Sequence, residues 1–344
     1  MTKVLLTGAS GYIGKHITLQ LLEAGYSVRA SVRNDAKAAE VRAAVTPHLA
    51  AGFDLDGKLE FVLLDLESDN GWDQAIQGSD VLMHTASPFP IAAPKDENDV
   101  VRPAVQGTLR ALKAAHKAGV KRVILTSSVA AIYGTDLPAG ATKFDETSWT
   151  NVEHPIGRQP YTKSKALAEK AAWDYIAAEA PELELTTINP VLVIGAPLDK
   201  NFGSSVSVIE RVLSGKDPVL PDVMFSLVDV KDVAAMHVKA IGLDAAKGQR
   251  FLASSTDMTF VNIAKTLKTA FPKRKITTAL APNFLLHFLG LFDGEIRSLL
   301  PSLGKHIGND STKARTVLGI DFILAENSLV ETAHFVIDNG FVKA

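Results

Sequence analysis

Short, unbroken apolar runs recur along the first half of the chain, at Lys3–Thr7, Ser27–Val32, Glu60–Leu66, Asp80–His84, Arg122–Ser127 and Leu183–Asn189. Val, Ile and Leu dominate them. Between most of them lie Ala- and Leu-rich segments with helical spacing, such as Tyr12–Ala24, Val100–Lys117 and Thr162–Ala178. A continuously apolar strand has both faces buried, so this alternation predicts a parallel sheet covered by helices on both sides. Such crossovers are right-handed almost without exception. The expected fold class is α/β, a doubly wound parallel sheet over residues 1–190.

After Pro190 the alternation loosens, and Pro197, Pro218, Pro221, Pro272, Pro282 and Pro301 punctuate the chain. This predicts a smaller, mostly helical substrate domain over 191–344. One strand-helix unit, Ser226–Ile241, is a candidate to return to the first domain. The most apolar late stretch, Phe284–Phe292, is interrupted by His287 and falls far short of the roughly 20 residues that span a membrane. It reads as a buried helix.

Composition narrows the function. Of 344 residues 47% are apolar and 22% charged, ordinary globular usage. Lys plus Arg number 36 against 38 Asp plus Glu, so no polyanion-binding excess exists and no nucleic-acid partner is expected. The chain has no cysteine, which removes disulfides, thiolate nucleophiles and cysteine zinc sites. No two of the nine His lie three or four apart, and Asp54, Asp56 and Gly57 lack the other positions of a calcium loop, so no metal site is expected. The opening Met1-Thr2-Lys3-Val4-Leu5-Leu6 is too short for a signal-peptide core, and a cytoplasmic protein without a membrane segment is expected.

The chemistry begins at Thr7-Gly8-Ala9-Ser10-Gly11-Tyr12-Ile13-Gly14, between the first strand and the first helix. Glycines at 8, 11 and 14 permit a tight turn, close approach of a pyrophosphate, and helix-on-strand packing. Backbone N–H groups at the helix start attract phosphate. Thr7, Gly8, Ser10, Gly11, Tyr12, Ile13 and Gly14 are thus candidate dinucleotide contacts. A site for NAD usually carries an acid near the end of the second strand. Here Ser31 and Arg33 stand there, followed by Lys37, and a guanidinium suits a ribose 2′-phosphate. The expected cofactor is therefore NADP(H), with Asp35 keeping NAD as a minority option. Asp65 and Leu66, ending the third strand, are candidates to flank the adenine; the plain alternative for Asp65 is a cap.

Ser127 and Ser128 follow the strand that starts at Arg122, on the side where ligands bind in such sheets. Thirty-three residues after Ser128, Tyr161 opens a helix, with Lys165 four residues on and on the same face. Carbonyl reduction needs a hydride at carbon and a proton at oxygen. A phenol's ordinary pKa of about 10 is high for that exchange. A nearby ammonium and an oxidised nicotinamide are expected to lower it, making Tyr161 a general acid, with Ser128 hydrogen-bonding the substrate oxygen.

These residues together resemble the extended short-chain dehydrogenase/reductases, and within them the branch of dihydroflavonol 4-reductase, cinnamoyl-CoA reductase and yeast-type methylglyoxal/aldehyde reductases. Val28 to Arg33, His84 to Phe89, Pro103 to Thr108, Tyr161 to Trp173, Asn189-Pro190 and Leu227 to Ala234 carry the likeness, which fades beyond about residue 240. The resemblance implies a Rossmann-type, NADPH-dependent reductase of aldehydes or ketones. It implies Ser128, Tyr161 and Lys165 as the catalytic set, with Lys165 also on the nicotinamide ribose. It implies Arg33 and Lys37 on the 2′-phosphate, Thr85, Ala86 and Ser87 along the cofactor, and Pro190 and Val193 near the carboxamide. Tyr133 stands where plant flavonoid reductases tend to carry a polar residue, which favours a general carbonyl reductase. Phe89, Phe202, Phe225, Phe284 and Phe288 are candidate substrate contacts.

Two other readings remain open at this point. An epimerase or dehydratase of nucleotide sugars, or a sterol-type dehydrogenase/isomerase, would hold NAD tightly; against a sugar dehydratase, Val129-Ala130-Ala131 follows Ser128 where an acidic pair is needed. A non-enzymatic dinucleotide sensor would have no need of both Tyr161 and Lys165. The expected partner is a small carbonyl compound, with the chain a monomer or homodimer.

Overall fold

A computed structural model describes residues 1–87, 96–292 and 294–342. The first five strands of the large sheet alternate with helices: β1 (Lys3–Thr7), α1 (Tyr12–Glu23), β2 (Ser27–Val32), α2 (Asp35–Val45), β3 (Leu59–Leu63), α3 (Trp72–Ile76), β4 (Val81–His84), α4 (Asn98–Lys117) and β5 (Arg122–Thr126). A short β6 (Lys143–Phe144) precedes α5 (Pro160–Glu179) and β7 (Glu184–Pro190). Then follow β8 (Leu192–Ile194), α6 (Ser204–Ser214), β9 (Met224–Asp229), α7 (Val230–Gly242), β10 (Gln249–Ala253), β11 (Thr256–Thr259) and α8 (Phe260–Ala270). The chain closes with α9 (Asn283–Leu289), α10 (Gly294–Leu299), β12 (Gly308–Asn309), α11 (Thr312–Val317) and α12 (Ala325–Asp338).

Seven strands pair in parallel in the order β10-β7-β5-β4-β1-β2-β3. The apolar runs bury on both faces, as their unbroken character requires. On β1, Val4 and Leu6 join one core with α1, α2 and α7, while Leu5 joins the other with α4 and α5. The same alternation runs through Val81, Leu82 and Met83 on β4. This is the doubly wound architecture expected.

The returning segment behaves differently from its expectation. Within Ser226–Ile241 the strand part, β9, joins a separate three-stranded sheet with β8 and β11, and only α7 packs on the large sheet. His237 on α7 clips it there: its Nδ1–H faces the Val233 carbonyl at 2.7 Å, so its Nε2 accepts from the Thr126 hydroxyl at 2.7 Å. The strand that returns to the large sheet is instead β10, at its edge beside β7. The Phe284–Phe292 stretch is not a buried helix either. Phe284 is 77% exposed, Phe288 58% and Phe292 77%, with only Leu286 buried on α9. Among the described residues no helix is long and apolar enough to cross a membrane.

Phe251 on β10 is fully buried in the core shared with α7 and α11. Its replacement by Ala is expected to cost about 3–5 kcal/mol in urea unfolding. A loss below about 1 kcal/mol would mean that this edge strand does not support the sheet.

Candidate active site

One cleft of about 1020 Å³ runs along the carboxyl ends of the strands, from β2 at one end to the small sheet at the other. Its floor is the β1–α1 turn. Thr7 anchors that turn: its hydroxyl oxygen accepts the N–H groups of Thr85 and Ala86 at 3.2 Å and donates to His84 Nδ1 at 2.8 Å. Burial holds His84 neutral, with its pKa near 3. The end of β4 is thereby drawn against Gly8, whose φ is +72°; a Cβ there would lie 2.7 Å from the Ala86 nitrogen. A Cβ on Gly14 would lie 2.2 Å from the Gly8 carbonyl oxygen. Only glycine fits either position.

The start of α1 carries no side-chain cap and no acid in its first turn. Its leading N–H groups face the cleft beside Ser10, Gly11, Tyr12 and Ile13. This cradle fits the pyrophosphate of a dinucleotide. At the β2 end Arg33 and Lys37 line the cleft with Leu66; Thr85, Ala86 and Ser87 follow along β4, and Pro190 and Val193 close the far side. Asp65 is the exception among the expected contacts. It is exposed and off the cleft, and its carboxylate accepts the Glu67 N–H at 2.9 Å, so it holds a turn instead.

Ser128, Tyr161 and Lys165 meet in the middle of this cleft. Ser128 stands two residues past the end of β5, and its Oγ accepts the Ala130 N–H at 3.2 Å, which leaves its proton free to donate. It hydrogen-bonds the Tyr161 phenol. Gln159 and Pro160 start α5, so Tyr161 sits in the first turn, and Lys165 Nζ lies 5.8 Å from its ring centroid. The tips of both side chains are surrounded by protein and exposed only to the cleft.

Without a bound dinucleotide, burial raises the Tyr161 pKa above 10, the Ser128 hydrogen bond opposing this and Tyr133 adding to it. Lys165 takes the opposite shift: burial lowers its pKa to about 8. In the cofactor-free chain the cost of a buried phenolate dominates; the expected lowering also called on the oxidised nicotinamide, so it stays an expectation for the loaded site. A neutral phenol is nonetheless the form that can donate a proton.

Beyond the triad the wall turns apolar, with Tyr133, Leu137, Phe144, Ile156, Leu192, Val223, Met224, Phe225, Leu299 and Ile307. Thr135, Asp136, His154, Ser226, Ser302, Lys305 and Asn309 are its polar points. Phe225 is therefore at the cleft as expected. Phe202 instead packs on Phe335 and Phe341, Phe284 and Phe288 are off the cleft, and Phe89 lies outside the described residues.

Residues 4–253 match the family described as NAD dependent epimerase/dehydratase, well over half of the chain. The chain belongs to that family. Within it, the chain is 34% identical over 338 residues to the ketoreductase azaE of Aspergillus niger, covering 93% of each. It is 31% identical over 286 residues to the (2S)-flavan-3-ol-forming anthocyanidin reductase of Vitis vinifera, covering 79% of this chain and 82% of that one. Among solved structures it is similar to the yeast methylglyoxal/isovaleraldehyde reductase Gre2 complexed with NADPH, with TM-score 0.80, 26% identity, and coverage of 99% and 100%.

Sequence reasoning missed the group that ties this family site together. Glu169, two turns along α5 from Tyr161, is 1% exposed. Its Oε2 accepts from Ser127 Oγ at 2.5 Å and Asn189 Nδ2 at 2.6 Å; its Oε1 accepts from Arg250 Nε at 2.7 Å and Thr187 Oγ1 at 3.1 Å. Asn189 also donates to the Ser128 carbonyl at 3.2 Å. One carboxylate therefore joins α5 to the ends of β5 and β7 and to β10. The only sequence signal was an acid at i+4 from Lys165 inside an otherwise small-residue helix face.

Replacing Glu169 by Gln leaves the Arg250 guanidinium buried without its counter-charge. The expected loss is about 3–5 kcal/mol of stability, read as a lower urea midpoint; an unchanged midpoint would deny the network its role. Lys165 gives a second test. Its pKa is 10.5 in the unfolded chain and about 8 in the fold, so the unfolded chain binds the proton more tightly. The penalty is full below pH 8 and fades as pH rises from 8 to 10.5. Lys165→Met is expected to stabilise the cofactor-free protein by about 1–2 kcal/mol at pH 7, after allowing for water in the cleft, and by little at pH 10. A gain independent of pH would count against a buried ammonium.

Proposed function

We propose that this chain is an NADPH-dependent reductase that converts an aldehyde or ketone with an apolar or aromatic part into the alcohol. The observation that carries this reading is the meeting of Ser128, Tyr161 and Lys165 midway along one cleft, between a glycine cradle and an apolar wall. The reductase relatives and the NADPH-bound neighbour support it. In this reading residues 1–190, with α7 and β10, bind the dinucleotide and give part of the substrate wall through Tyr133, Leu137, Phe144 and Ile156, and the remaining segments supply the rest.

The N–H groups of Tyr12, Ile13 and Gly14 hold the pyrophosphate, and Arg33 and Lys37 hold the 2′-phosphate. Thr85 to Ser87, Pro190 and Val193 orient the nicotinamide half, and Lys165 binds its ribose. Bound NADPH supplies a hydride to the carbonyl carbon. Ser128 donates a hydrogen bond to the substrate oxygen, held between it and Tyr161, and steadies the charge that develops there. Tyr161 gives its hydroxyl proton to that oxygen, and the neutral form favoured by burial is the one required. The Lys165 ammonium then stabilises the phenolate left behind. The apolar wall excludes water around the exchange. The dehydratase alternative gains nothing here, because Val129-Ala130-Ala131 places no acid beside Ser128.

Tyr161→Phe removes the proton donor and little else. NADPH oxidation against a panel of aliphatic, aromatic and dicarbonyl substrates is expected to fall by about 10²–10⁴-fold in kcat, with KM for NADPH nearly unchanged. Undiminished turnover in that variant would overturn the assignment. The intact enzyme is expected to prefer NADPH to NADH.

A further inference from the structure

Lys37, assigned above to the 2′-phosphate, already has an anionic partner. Its Nζ donates to Glu40 Oε2 at 2.6 Å, one turn along α2. The other oxygen of Glu40 accepts from Lys15 Nζ, also at 2.6 Å. Lys15 is on α1, the residue after Gly14, and is 1% exposed. A buried ammonium needs counter-charge, and Lys15 has two, since Asp199, in the loop after β8, also pairs with it. The four charges cancel within one cluster. Arg33, in contrast, is exposed, with no ion pair among the described residues.

Glu40 is held in place from beneath. Lys15 sits in the packed interior of α1, so the carboxylate it grips cannot swing away when an anion arrives. Burial of Glu40 works against its charge, but the two ammonium groups outweigh it and keep the carboxyl below its usual range. It is ionised at neutral pH. A phosphate brought to Lys37 therefore meets a fixed negative charge bonded to the same ammonium.

We propose that Glu40 is a specificity-determining residue: its carboxylate competes with the ribose 2′-phosphate for Lys37 and moderates the preference for the phosphorylated dinucleotide. This rests on the NADPH reading of Arg33 and Lys37. The carboxylate is retained because Lys15 needs it, and Lys37 offsets the excess negative charge that Glu40 and Asp199 together create. The penalty on the 2′-phosphate is a by-product of neutralising a buried lysine next to the phosphate cradle.

Binding without any substrate tests this. NADP⁺ and NAD⁺ are titrated calorimetrically into the full-length protein, its Glu40→Gln variant and its Lys37→Met variant. Gln keeps the size and a hydrogen bond to Lys15, while Asp199 keeps that lysine paired. Glu40→Gln is expected to tighten NADP⁺ by about three- to tenfold and to leave NAD⁺ within about twofold. Lys37→Met is expected to weaken NADP⁺ by about tenfold and to spare NAD⁺. If Glu40→Gln does not fold, the double variant Lys15→Met with Glu40→Gln, which removes the buried ammonium along with the carboxylate, is expected to show the same selective tightening. Unchanged or weaker NADP⁺ binding after removal of Glu40, or equal tightening of both dinucleotides, overturns the proposal. If Lys37→Met meanwhile weakens NADP⁺ alone, the 2′-phosphate reading survives that failure. If Lys37→Met leaves NADP⁺ unaffected, both fall together.

Discussion

The close approach of three backbone segments at Gly8 sets the rest of the site. The carbonyl of Gly8 lies under the first turn of α1, and the chain at Ala86 lies against its α-carbon, at distances no side chain tolerates. That contact fixes the helix start over the strand ends and aims its unbonded N–H groups into the cleft. Thr7 holds it from within, its hydroxyl accepting the Thr85 and Ala86 N–H groups and donating to His84 Nδ1. Because the cradle is made of backbone, its shape is set by which atoms are absent.

A second constraint concerns charge. The cleft brings a phenol and an amine out of water, and burial pushes both toward their neutral forms. Neutral Tyr161 is ready to donate. Charged Lys165 is costly, so the cofactor-free chain carries a local instability at the place where positive charge is needed. The supporting order comes from elsewhere: the Glu169 carboxylate, fully paired by Arg250, Asn189, Ser127 and Thr187, ties α5 to three strand ends. A buried carboxylate held by four partners thus underlies the Ser128, Tyr161 and Lys165 group, consistent with the stiffness that preorganised catalysis requires.

The parts legible in the sequence are those with a short-range physical signature. The runs at Lys3–Thr7 and Arg122–Thr126 have near-continuous apolar centres, Ser27–Val32 alternates with Val28, Ala30 and Val32 on one face, and their structure follows. Glycine spacing and the Tyr161–Lys165 step are local as well. What escaped is what depends on partners far along the chain. β10 reads Gln-Arg-Phe-Leu-Ala, and Arg250 looks like a solvated residue until Glu169, 81 positions earlier, is seen to neutralise it. Leu227 and Val228 read as the centre of a strand returning to the large sheet, yet β9 pairs with Leu192–Ile194 and Thr256–Thr259, three- and four-residue strands with no periodicity to read. The aromatic residues of α9 met the usual signature of burial and are exposed. The pKa of Tyr161 also escaped, because spacing reveals a neighbouring charge but not the depth of the surrounding protein.

The two ends of the cleft are therefore built from different materials. The cofactor end comes from consecutive strand ends and backbone amides, where a change of shape would require moving the sheet. The end proposed for the substrate is assembled from side chains of four separate stretches, Tyr133 to Ile156, Leu192, Val223 to Ser226 and Leu299 to Asn309. None of these carries the large sheet's hydrogen bonds; their short pairings, of β6, β8, β9 and β12, lie outside it. Side chains there can change volume or polarity at the cost of a local contact, while Ser128, Tyr161 and Lys165 stay locked to α5 and β5. A wall of this kind can vary without disturbing the framework beside it, since the framework does not need those side chains in order to stand.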